Sequence, residues 1–109
     1  MVISFSHPLA RAQLLEKGRV YTFRKNRRKK VGNDWANEGR LKPKLCDVYI
    51  GEMGQITIGE LYFYESESGF ENSVEWLKAI EDLNGGPWDL NKRGWLYHVQ
   101  RRSNGSETE

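Results

Sequence analysis

Apolar and polar positions fall into seven blocks, and their spacing predicts five strands and two helices. Val2–Phe5 (VISF) is short, β-branched and aromatic, which predicts a strand. From Pro8 to Lys17 the apolar residues Leu9, Ala12 and Leu15 recur at helical spacing. Ser6 or His7 can cap this helix, Pro8 suits its first turn and Gly18 its stop. Residues 19–24 (RVYTFR) alternate. Tyr21 and Phe23 face one way, and Val20, Thr22 and Arg24 the other, as in a strand with one polar face. A polar segment then runs to about Lys44 without periodicity, and VGND inside it reads as a turn.

Residues 45–52 (LCDVYIGE) predict a strand, Met53 and Gly54 a tight turn, and residues 55–65 (QITIGELYFYE) a longer strand. In that longer strand Ile56 and Ile58 share one parity, while Leu61 and Phe63 take the other. Gly59 between them predicts a bulge or bend that would let a small sheet curl. A second helix starts at the Asn72 cap, with Glu75 three residues on. Its expected buried stripe is Val74, Leu77, Ile80 and Leu83, and Gly85 and Gly86 end it. Residues 86–93 form a loop, and residues 94–102 a last strand with Trp95, Tyr97 and Val99 on one face. Strands do not alternate regularly with helices. The expected class is therefore α+β: one domain over residues 1–102, a small β-barrel of about five or six strands with two flanking helices. Residues 103–109 form a flexible polar tail.

The net charge of +2 conceals a strong asymmetry. Between Arg19 and Lys44 stand ten Lys or Arg residues against two acids, Asp34 and Glu38. Between Asp47 and Asp82 stand nine acids and one base, Lys78. Such a split suggests a positive face meeting a polyanion, although a solvated loop balanced across space has the same composition. The single cysteine, Cys46, excludes an internal disulfide and a cysteine-based metal site. No window approaches the roughly 18 apolar residues needed to cross a bilayer. These features predict a soluble cytoplasmic protein with no membrane partner, no metal and no cofactor.

The chemistry on offer points the same way. The chain has no phosphate-binding glycine loop and no nucleophile elbow. Trp76 and Trp95 have apolar neighbours at buried spacing and are expected inside. Trp35 and Trp88 stand in polar segments, Trp35 just after the basic run and Trp88 near Lys92 and Arg93. Each is read two ways, as a plug closing a barrel end or as an exposed ring on which a base stacks. A cationic groove with an exposed aromatic suits single-stranded nucleic acid, because the cations neutralise phosphates and every base has a π-face. The candidate nucleic-acid-binding residues are Arg24, Lys25, Arg27, Arg28, Lys29, Lys30, Trp35 and Arg93.

The segments LLEKGRVYTFR, KKVGND, ITIGELYFYE, GFENSVEWL and GWLYHVQ, in this order, resemble the ASCH domain of the PUA-like superfamily. The likeness spans about Phe5 to Arg102. It implies a small β-barrel with flanking helices, an RNA partner, and a polar cavity at the barrel mouth beside the basic loop. One branch of that family hydrolyses the N4-acetyl group of acetylcytidine, and a ribonuclease activity belongs to another. The resemblance to the first branch points to Arg19, Thr22 and Glu71 as candidate catalytic residues, with a modified nucleoside as substrate. Thr22 and Glu71 match the branch's Thr and Glu, but Arg19 stands where the branch has a lysine. A desolvated lysine can shed its proton and act as a base, whereas arginine stays charged. The leading expectation is therefore an RNA-binding domain, with the nucleoside hydrolase or ribonuclease as the alternative.

Overall fold

The computed structural model describes residues 2–39 and 41–102; the tail expected over 103–109 lies outside them. Five strands, β1 (Val2–Ser4), β2 (Arg19–Arg24), β3 (Gly32–Asn37), β4 (Lys44–Thr57) and β5 (Arg93–Arg101), form one sheet in the order β1-β3-β4-β5-β2. β1 and β3 run parallel, and the other pairs are antiparallel. The sheet curls into a half-barrel in a mixed α/β domain. Helix α1 (Pro8–Ala12) continues as a π-helical turn over Gln13–Lys17, a 3-10 segment spans Ile58–Glu67, and helix α2 covers Ser73–Asn84. No helix among the described residues is long and apolar enough to cross a membrane.

Both faces of the sheet are packed. On the concave face Ile3, Phe5, Leu14, Val20, Ala36, Val48, Ile50, Tyr97 and Val99 form one core. On the other face Phe23, Ile56, Ile58, Leu61, Trp76, Ile80 and Leu96 form a second core beneath the 3-10 segment and α2. Burying each large apolar side chain in these cores contributes about 1.5–3 kcal/mol.

Long strand β4 serves both cores because its register slips between Glu52 and Gly54. Ile50 lies opposite Val99 on the concave face, whereas Ile56, beyond the slip, lies opposite Gly94 and joins the second core. An extra residue in one strand of an antiparallel pair reverses the parity of all that follows. Met53 is that residue, and Gly54 beside it takes φ +115°. The expected turn at Met53 and Gly54 is therefore a bulge within one continuous strand, and the expected bulge at Gly59 is absent.

Three further expectations are corrected. Residues 58–65 do not continue the strand, because Thr57 and Glu60 form a capping box. The Glu60 carboxylate accepts from the Thr57 main-chain N–H at 2.7 Å, which starts a helix. The segment expected as an open loop through Lys44 contains β3. Finally, α2 buries Trp76, Ala79 and Ile80, while Val74 and Leu83 are largely exposed. The cap at Asn72 is present, its side chain accepting from the Glu75 N–H at 3.0 Å.

Candidate functional site

The half-barrel is open between its edge strands β1 and β2. The main-chain direction of β2 follows from two bonds. Gly18 O accepts from Arg101 N–H on the β5 side, and Arg19 O accepts from the Gln13 side chain on the other. Main-chain groups alternate sides along a strand, so those of Tyr21 and Phe23 face the open seam. Side chains close the seam in place of a backbone ladder. Arg24 reaches across from β2 and donates from Nη2 to Ser4 O at 2.9 Å. Its Nε donates to Thr22 Oγ1 at 3.1 Å, and its guanidinium lies 5.4 Å from the centre of the Phe5 ring. Burial, together with the like charge of Arg28, pulls the Arg24 guanidinium down to about 10, so it remains a cation at neutral pH.

A cavity of about 270 Å³ occupies this seam, between the β1–α1 corner, the edge of β2 and helix α2. Ligand pockets typically measure about 300–1,000 Å³, so this one suits a single small ring system. Its walls are mainly Phe5, Phe23, Phe70, Trp76 and Ile80, and its polar groups include Thr22, Arg24, Lys25 and His7. His7 caps α1, with Nδ1 accepting from the Leu9 N–H at 3.2 Å, and its ring lies 4.7 Å from that of Phe70.

The basic loop, residues 25–31, folds back over the concave mouth. Arg27 makes two bonds of 3.0 Å to Glu52 and lies 5.0 Å from the Trp95 ring centre. The Arg28 N–H donates to the Tyr97 hydroxyl at 2.6 Å, and its guanidinium lies 3.5 Å from the Asp34 carboxylate. Two of the loop's cations are therefore committed to holding it in place. Lys25, Lys29 and Lys30 are exposed, and among the described residues they make no ion pair. Arg93 is exposed on the Trp95 side of β5 by strand alternation. Trp35 is half-buried in β3 on the face opposite Asp34, so it is not part of the loop. Trp88 packs edge-on against Phe23 at 6.0 Å, with Lys92 over its ring.

No hydrogen bond or ion pair among the described residues joins Arg19, Thr22 and Glu71. Thr22 lines the cavity. Arg19 points from the opposite face of β2 and binds Glu67 at 2.8 Å, and Glu71 is exposed just before α2. The residue that Arg19 meets, Glu67, was not marked by any sequence motif. It also lies 3.2 Å from His98 Nε2, and the His98 ring packs tilted against that of Tyr21, with centroids 4.6 Å apart. Only the fold makes these neighbours, across 48 and 31 residues of chain.

No protein-family model, curated protein or solved structure matches the chain.

The Glu67 cluster carries a pH prediction. Burial pushes the Glu67 carboxyl up, but hydrogen bonds from Arg19 and His98 outweigh it and hold the group below its ordinary value. A depressed folded-state value stabilises the fold above the unfolded value of about 4.3. That contribution disappears as pH falls through the folded value. Arg19 is 55% exposed, so screening keeps the contribution below about 1 kcal/mol, a few degrees of melting temperature. Glu67→Gln is expected to melt a few degrees below the wild type at pH 6, with the gap narrowing as the pH falls below the unfolded carboxyl's value of about 4.3. A gap that persists unchanged in acid would show that the carboxylate charge contributes nothing.

Proposed function

We propose that this domain binds single-stranded RNA, holding phosphates on Lys25, Lys29, Lys30 and Arg93 and one base in the seam cavity. The observation that carries this reading is the adjacency of the two parts. The aromatic-walled cavity is lined by Lys25, where a loop begins whose lysines make no ion pair among the described residues while its arginines fix its position. A cationic rim beside a ring-sized hollow is what sequence-tolerant single-strand binding requires. The half-barrel with helices against it is compatible with a PUA-like domain of the ASCH type, and that identity belongs to the same proposal. The hydrolase reading has no comparable support, since no bond among the described residues joins its three residues and Arg19 is engaged by Glu67.

The test is the salt dependence of binding to a labelled single-stranded RNA. Each phosphate contact contributes about −0.7 to the slope of log K against log salt on single strands. Replacing Lys25, Lys29 and Lys30 by glutamine is expected to make the slope shallower by about 2 and to weaken binding at low salt. Arg27→Gln alone is expected to act through loop position, since its charge already meets Glu52. An unchanged slope in the triple variant would remove this loop from the interface.

A further inference from the structure

The cavity has a built donor whose geometry selects among bases. Arg24 uses Nε and one N–H of Nη2 on Thr22 Oγ1 and Ser4 O, and these two hydrogens lie along one edge of the planar guanidinium. Its outer edge, one N–H on Nη1 and one on Nη2, has no acceptor among the described residues. No carboxylate among them lies within ion-pair distance of Arg24 either. A cation that is partly removed from water and held rigidly, with two parallel donors unfilled, favours a ligand with two adjacent acceptors. Phosphate offers such a pair, but the surrounding Phe5, Phe70, Trp76 and Ile80 are poor neighbours for a dianion and good ones for a flat ring. Among the bases, guanine presents O6 and N7 side by side. Adenine pairs its N7 with an amino donor, and uracil has no two adjacent acceptors. Cytosine's adjacent pair, O2 and N3, flanks the glycosidic bond, where the ribose crowds it, whereas guanine's pair lies on the edge away from the sugar.

The geometry points to a guanine-reading site, in which the outer edge of Arg24 bonds O6 and N7 of a base held between Phe5 and helix α2. This rests on the RNA-binding reading for its biological ligand, but its chemistry is separable. Thr22 and Ser4 act as positioning groups that fix the guanidinium plane, so the discrimination belongs to Arg24. The adjacent Lys25 is placed to meet the nucleotide's phosphate at the cavity rim.

The test is titration of the full chain with the four nucleoside 5′-monophosphates, followed by tryptophan fluorescence and calorimetry. Guanosine monophosphate is expected to bind at least about tenfold more tightly than adenosine monophosphate, the scale of one bidentate pair. Inosine monophosphate keeps O6 and N7 and is expected to match guanosine, whereas the 7-deaza analogue is expected to lose most of the advantage. Arg24→Lys is expected to abolish the preference, with its fold checked by circular dichroism; the wild-type comparison stands even if that variant does not fold. Equal binding of all four nucleotides would overturn the inference, as would inorganic phosphate competing as well as guanosine. If salt-dependent RNA binding persisted in that case, the RNA reading would survive alone. Guanine preference without any RNA binding would leave the cavity assignment standing and remove the RNA reading.

Discussion

Gly94→Ala is expected to lower the melting temperature by about 10 °C, the largest stability loss among the changes considered. A Cβ at this position would lie 2.2 Å from Cζ and 2.5 Å from Cε2 of Phe23, and 2.9 Å from Arg24 O. The ring cannot swing away freely, because it belongs to the core with Ile56, Leu61, Trp76 and Leu96 and meets Trp88 edge-on. Overpacking of this kind costs about 1–3 kcal/mol, and 1 kcal/mol corresponds to about 4–8 °C in a domain of this size. Thermal unfolding by circular dichroism gives the answer. Adding Phe23→Leu is expected to return part of the loss, because the smaller side chain vacates the contested space. A single variant that melts like the wild type would mean that Phe23 does not pack over β5 as described.

That close approach also shows how much of this fold was readable. The helix at Asn72 and the alternating strands at Arg19 and Gly94 were legible, because local periodicity and caps agree with the tertiary structure there. Strand β3 was not. Its sequence GNDWAN is rich in turn-forming residues, and its buried polar groups are tolerated only because distant partners satisfy them. Asn37 accepts from the Ser4 hydroxyl at 2.7 Å and donates to Lys42 O, and the Asp34 carboxylate faces Arg28. Those partners are invisible to any window along the chain. The 3-10 segment is a different case. Its apolar run resembles a strand, but T-I-G-E at residues 57–60 has the spacing of a capping box, so the signal was present and was outweighed by composition.

The candidate site divides along the same line. Arg24 and Thr22 were placed on one polar face of β2 by alternation alone, and both line the cavity. The basic run was legible as charge, but charge does not reveal which cations are already committed. Arg27 and Arg28 are held by Glu52, Asp34 and Tyr97, residues 6 to 69 positions away, whereas the loop's lysines make no ion pair among the described residues. A charge count therefore overstates the number of contacts available to a polyanion.

Tyr97→Phe is expected to loosen that loop while leaving the barrel intact. The Tyr97 ring is fully buried, so its phenylalanine counterpart fills the same core volume. What disappears is the acceptor for the Arg28 N–H at 2.6 Å, a main-chain bond that ties the loop to the barrel interior. Leaving a partly buried donor without its partner costs about 1–3 kcal/mol. The loss is expected to appear locally: faster amide hydrogen exchange across residues 25–31, with exchange in β4 and β5 much less affected. Under the proposed RNA-binding role, affinity for single-stranded RNA is expected to fall as well, because Lys29 and Lys30 would then have to be ordered on binding. If exchange in the loop stays at the wild-type rate, the Arg27–Glu52 and Arg28–Asp34 pairs are sufficient to hold it, and the buried hydroxyl has no role in presenting the lysines.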